Sequence, residues 1–132
     1  MKDQAVNVPF RDLTEAQKAA VLSERRIDRT YAAMEGLGLD RLVSDPEWQV
    51  REEVANRGYA LDVLAGDDHP LVRAAVASQG AYPEMFAKDP AWQVRYAVVK
   101  GGYVTDDLMR DKDPYVKDAA HKAATPKTSR RA

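Results

Sequence analysis

Three groups of residues in this chain have the types and spacing to do chemistry. A column of bases, Arg51, Arg73, Arg95 and Lys117, recurs every 22 residues, and evenly spaced cations suit a phosphate backbone. Aspartates recur at the same interval, at Asp45, Asp67, Asp89 and Asp111, six residues ahead of each base. An internal ladder of ion pairs, fixing the spacing of the units, is the expected use of both columns. Trp48 and Trp92 stand two intervals apart and are the kind of anchor on which protein interfaces concentrate binding energy. The competing use of each indole is to cover a groove between helices. Asp67-Asp68-His69 has the residue types of a metal site. Adjacent residues at a helix start do not converge on one ion, so capping accounts for them better.

Neither His69 nor His121 has a nucleophile or acid partner in the sequence, so no catalytic constellation forms. The chain has no cysteine, which excludes disulfides, thiolate zinc sites and iron–sulfur ligation. No catalytic residue, cofactor or metal is expected.

The elements that must position these side chains follow from the period. Glycine recurs at Gly36, Gly58, Gly80 and Gly102, and a large apolar residue at Leu42, Leu64, Phe86 and Leu108. A gapless period of this length marks stacked helical units. In residues 45–66, Asp45 reads as an N-cap, Pro46 as the first helical residue and Gly58 as the left-handed residue after the helix. A helix over 46–57 is expected, with Val50 and Val54 on one face, and then a single α or 3₁₀ turn at Leu61–Leu64. Units 45–66 and 89–110 agree at 11 of 22 positions, so a longer period overlies the first. In the units between and after them Pro70 and Pro114 replace the tryptophans, and the helix is expected two residues later, capped by Asp68 or Asp113. Ala75, Ala97 and Ala119 allow close helix approach at a column where the first unit has Glu53.

The fold class expected is all-α, a right-handed α-solenoid of 22-residue repeats with an N-terminal helical cap. Residues 1–44 form the extension and cap, with a partial repeat from about 23; the repeats are 45–66, 67–88, 89–110 and 111–124; residues 125–132 form a basic tail. Residues 1–10 read as extended, Thr14-x-x-Gln17 as a capping box opening a helix, and 24–35 as a second helix.

Composition is that of a folded protein, with 45% hydrophobic and 31% charged residues. The net charge of −1 is unevenly spread: residues 1–44 balance, 45–88 carry −4 and 89–132 carry +3. No apolar run of signal-peptide or membrane-span length occurs, so a cytoplasmic location is expected.

The run Asp-Pro-x-Trp-Gln-Val-Arg-x-x-Val-x-x-x-Gly, followed by Leu-x-x-Leu, resembles the leucine-rich repeat variant family across residues 36–124. Those proteins are relatives of HEAT repeats in which α-helices alternate with 3₁₀ turns along a right-handed solenoid. The resemblance implies an interaction scaffold and transfers no catalytic residue. The iron–sulfur module of the founding member has no cysteine to hold it here.

The leading functional expectation is a non-enzymatic adaptor or inhibitor that binds a protein through Trp48, Trp92, Tyr59, Tyr103, Glu52 and Glu53. Tyr82 and Tyr96 extend that aromatic set. Such a small scaffold suits a phage or mobile-element protein that blocks a host complex. The alternative is a nucleic-acid binder using Arg95, Lys100, Lys117, Lys122, Arg130 and Arg131, and a remote third is a HEAT-like glycosylase for alkylated DNA bases. Self-association through an incompletely covered solenoid end is the remaining outcome.

Overall fold

The computed structural model describes residues 6–125. Among these residues the chain is all-helical, with ten α-helices, a 3₁₀ turn at Phe10–Asp12 and one isolated parallel bridge between Val8 and Leu37. After α1 (Glu15–Val21), long and short helices alternate. The long ones are α2 (Arg26–Met34), α4 (Trp48–Asn56), α6 (Pro70–Ser78), α8 (Trp92–Lys100) and α10 (Pro114–Ala124). The short ones, one turn each, are α3 (Leu39–Leu42), α5 (Leu61–Leu64), α7 (Pro83–Phe86) and α9 (Asp106–Met109). Each long helix packs on the next long helix, and each short helix packs against the long helix that follows it.

The core is built from repeated columns. Val50, Val72, Val94 and Val116 are each the third residue of a long helix and each fully buried. One turn on, Val54, Val76, Val98 and Ala120 are buried too, and the short helices add Leu42, Leu64, Phe86 and Leu108. Burying a valine contributes roughly 1.5–3 kcal/mol, so these columns carry a large part of the packing energy. A further buried column runs Ala33, Ala55, Ala77, Val99 and then changes to exposed His121 in α10. The outer side of α10 is therefore polar where earlier helices present an apolar residue to a neighbour.

The helix starts differ from expectation. All four units begin their long helix in one register, with N-caps Glu47, His69, Ala91 and Asp113, so the Trp-type and Pro-type units are not offset. Asp45 does not cap α4, nor does Asp68 cap α6. Asp45, Asp67, Asp89 and Asp111 each accept the amide two residues on, at 2.9 Å, closing a turn ahead of the helix. The caps of the Pro-type units are the His69 ring, which accepts from Leu71 N–H, and the Asp113 carboxylate.

The amino-terminal segment departs from a plain extended strand. Residues 1–5 lie outside the described part, and Phe10–Asp12 turns as 3₁₀ helix. Val8 exchanges backbone hydrogen bonds with Gly36 and Gly38, and Asn7 Oδ1 accepts Leu39 N–H at 2.7 Å. This ties the segment across the turn between α2 and α3. A Cβ on Gly36 would stand 2.6 Å from the Val6 carbonyl oxygen, so only glycine admits the approach. Thr14 and Gln17 form the expected capping box at α1.

The short helices start in an unusual way. Gly38, Ala60 and Tyr82 precede α3, α5 and α7 in the left-handed region, at φ 65°, 55° and 50°. The equivalent residue before α9 is Val104, whose branched Cβ is poorly tolerated there. The chain takes another route at this point: Thr105 is extended at φ −130° and its hydroxyl caps Leu108 N–H. Left-handed backbone costs an L-residue about 1–2 kcal/mol, part of which a glycine gives back through greater freedom of the unfolded chain. Ala60→Gly should therefore raise stability by about 0.5–1 kcal/mol, read as a higher urea midpoint at unchanged slope. A lowered midpoint would show that Ala60 carries no backbone strain.

Candidate functional site

The arginine column is an internal ladder. The Arg51 guanidinium donates from Nε and Nη2 to both oxygens of Asp67, at 2.7 and 3.0 Å, while its Nη1 donates to the Asp45 carbonyl at 2.7 Å. Arg73 binds Asp89 and the Asp67 carbonyl in the same way, and Arg95 binds Asp111 and the Asp89 carbonyl. Each side chain thus pairs forward with the next unit's aspartate, 16 residues on, and backward with the main chain of its own unit. Arg29 adds a rung, pairing with Asp45 and with the Ser23 carbonyl. Ser23 holds the aspartate's place in the first unit, and its hydroxyl accepts Arg25 N–H just as the aspartates accept theirs. Arg29 was not singled out from sequence, although it lies one interval ahead of Arg51.

These are sequestered charges. The arginine side chains are 10–17% exposed and the aspartates less than 10%. Burial pushes the Asp67 and Asp111 carboxyls up, but hydrogen bonds from Arg51 or Arg95 and from a backbone amide outweigh it, leaving both below the ordinary carboxylate range. The hydrogen bond each arginine donates to its paired aspartate pushes the guanidinium above its ordinary value, against the opposing effect of burial. Arg95, expected at a nucleic-acid surface, is consequently spent inside the ladder. Lys117, at the end of the column, is exposed and makes no ion pair among the described residues.

The other candidates divide between the two ends of the long helices. Trp48 and Trp92 are both first helical residues, yet their surroundings differ. The Trp48 indole is half-buried and stacks on His69 at 4.1 Å and 12°, clamping the ring that caps α6. Trp92 is 37% exposed and stacks on Tyr115 of α10 at 5.4 Å, with Tyr96 edge-on at 6.2 Å. Tyr59 and Tyr103 lie at the far ends of α4 and α8, next to Gly58 and Gly102. Their amides bond back to the Val54 and Val98 carbonyls and their rings pack on the core, as in a Schellman motif. They do not extend the tryptophan edge. Tyr82 stands at a short-helix start against Phe86, so it too lies apart.

Trp92, Tyr96 and Tyr115 line an open groove of about 490 Å³ with Leu71, Ala74 and Lys100. The Lys100 ammonium sits over the Tyr96 ring at 5.9 Å. Residues on the same side of the other long helices differ in character. On α2 they are Ile27, Tyr31 and Met34, an apolar stripe more than half exposed at each residue. On α4 they are Gln49, Glu52 and Glu53, and on α10 Tyr115, Asp118 and Lys122. Glu52 and Glu53 are half-buried with no cation paired to them among the described residues. Burial, and then the charge of Glu53, pushes the Glu52 carboxyl up. Lys122 is paired with Asp118 at 3.2 Å. Arg130 and Arg131 lie outside the described residues. Sequence reasoning missed Tyr115, Leu71 and the α2 stripe. Their signal was the column Ile27, Gln49, Leu71, Gln93, Tyr115, where apolar and amide residues alternate.

Among the described residues no group of three or more His, Cys, Asp or Glu side chains gathers to hold a metal. No helix there is long and apolar enough to cross a membrane. Asp67 and His69 are instead used as a turn closure and a helix cap. No family model, curated protein or solved structure matches the chain.

Two outcomes test the ladder. Asp89→Asn leaves the Arg73 guanidinium sequestered with half its anchor, and should cost about 3 kcal/mol in urea unfolding. The double variant Arg73→Met/Asp89→Met should cost clearly less, because no orphan charge remains. Equal losses would mean the rung carries no buried-charge penalty. The lowered carboxyls of Asp67 and Asp111 stabilise the fold fully above their unfolded value of about 4. That stability drains as pH falls from there through their folded values. Unfolding free energy measured between pH 5 and pH 3 should decline, and Asp67→Asn/Asp111→Asn should flatten the decline.

Proposed function

We propose that the alternating helices form a right-handed α-solenoid of 22-residue repeats, as in the leucine-rich repeat variant and HEAT-like families, and act as a non-enzymatic protein-binding module. The regular start of the long helices at residues 26, 48, 70, 92 and 114 supports the repeat reading. The observation that carries the functional reading is the groove around Trp92. A tryptophan and two tyrosines, with Leu71 and Ala74, make an apolar surface next to a polar rim, the composition of an interface hot spot. Nothing in the chain's own packing requires Tyr115 to be 65% exposed.

The binding surface is the open face of the long helices centred on α6 and α8, with Trp92, Tyr96 and Tyr115 as anchors. Trp48 belongs to packing, and Glu52 and Glu53 lie on α4, the helix packed beside α6. Use as an adaptor or inhibitor in the cytoplasm is consistent with this layout. Nucleic-acid binding is less well supported, because Arg95 is internal and Lys122 is paired with Asp118. Self-association through the α10 end is likewise less well supported, since Lys117 and His121 face outward there.

The test is affinity capture from a native lysate with the wild type, Trp92→Ala/Tyr115→Ala and Trp48→Ala. Partner recovery should fall about tenfold or more in the first variant, the loss typical of hot-spot removal. Folding of each variant is checked by its urea transition. Undiminished recovery in Trp92→Ala/Tyr115→Ala would refute the groove. Binding to nucleic acid that falls steeply with salt would replace the reading by the electrostatic one.

A further inference from the structure

The open face has an order of charge along the row of helices that its hydrophobic character does not explain. On α4, Glu52 and Glu53 are half-buried, with no cation paired to them among the described residues. The middle helix α6 offers only Leu71, Ala74 and Ser78 to the groove. On α8, Lys100 stands exposed over the Tyr96 ring and makes no ion pair among the described residues; the α10 residues that share its cleft, Asp118 and Lys122, are paired with each other. The face therefore runs acidic, apolar, basic over three neighbouring helices.

Adjacent packed helices lie about 8–10 Å apart, so the carboxylates and the lysine are separated by roughly 20 Å across the row. A like separation along a bound segment is about 14 residues of α-helix at 1.5 Å each. Half-buried carboxylates without a cation are poorly solvated, and a donor arriving from outside gains from that more than at an exposed site. Resting on the protein-binding reading above, we infer that this face takes a partner segment of complementary polarity, in which a basic end meets Glu52 and Glu53, an apolar middle fills the Leu71–Trp92–Tyr96 groove, and an acidic end meets Lys100. Either chain direction satisfies that order. Charge order selects the segment, while the aromatic groove supplies most of the affinity.

The experiment is calorimetric titration of the whole chain with three synthetic helical peptides of about 14 residues that share one apolar stripe. The first carries lysines at one end and glutamates at the other, the second lysines at both ends, and the third glutamates at both ends. The bipolar peptide should bind about tenfold tighter than either uniform one. In Glu52→Lys/Glu53→Lys the preference should pass to the uniformly acidic peptide, and in Glu52→Gln/Glu53→Gln it should vanish without reversing. The neutral pair keeps the test valid if the lysine variant unfolds. Equal affinities in the wild type, an unaltered preference in the glutamate variants, or no binding by any peptide would overturn the inference. Trp92→Ala/Tyr115→Ala separates the two readings. Binding that needs the aromatic pair but ignores charge order sinks this inference alone; binding indifferent to the pair sinks the groove as well. Sedimentation of the peptide-free protein completes it. A concentration-dependent dimer that Glu52→Lys/Glu53→Lys dissociates would assign the face to a second copy and overturn the proposal.

Discussion

Each aspartate of the repeating unit serves two neighbours at once, and the rest of the arrangement depends on that double use. Its two oxygens receive the guanidinium of the unit before, and one of them also receives an amide of its own turn. The arginine in turn reaches back to a carbonyl of its own loop. One side-chain pair thus sets the distance between successive long helices and the shape of the turn that introduces each. With those two quantities fixed, Val50, Val72, Val94 and Val116 fall into one column and bury completely. The valines supply the energy and the rungs supply the register, a division expected when ion pairs specify geometry more than they stabilise.

The same constraint explains what could be read from the sequence. The all-helical make-up, the left-handed glycines and the short Leu61–Leu64 turn were legible, because each rests on a local residue choice. The helix starts were not. Asp45 followed by Pro46 has the form of a cap, but a carboxylate already committed to Arg29 and to an Asx turn has nothing left for the helix amides. That competition lies in the fold and not in the dipeptide. Trp48 and Trp92 likewise look alike in sequence and differ only through what the next unit places opposite them, a capping histidine in one case and an exposed tyrosine in the other.

The long helices divide their surface between two tasks. The columns that build the core and the ladder are nearly invariant along the row, with valine at 50, 72, 94 and 116 and arginine at 29, 51, 73 and 95. Three other columns change from unit to unit: Ile27, Gln49, Leu71, Gln93 and Tyr115; Thr30, Glu52, Ala74, Tyr96 and Asp118; and Met34, Asn56, Ser78, Lys100 and Lys122. Packing imposes no sameness on the second set. The ladder is neutral at its first step, where Ser23 stands in the aspartate column, so no charge there is left without its counterpart.

The forward reach of the arginine also has a bearing on how a chain of this design can grow. Each bond spans 16 residues and joins only adjoining units, so a tandem copy of a whole unit carries its own donor and its own acceptor to the new seam. Duplication by 22 residues keeps an arginine–aspartate rung at every seam, and duplication by 44 keeps the Trp-type and Pro-type units alternating as well. Inserting one residue inside a unit has no such immunity, because it moves an aspartate away from its arginine and turns a valine outward in the same stroke. Length in this architecture is cheap to change in whole modules and costly to change in any other increment.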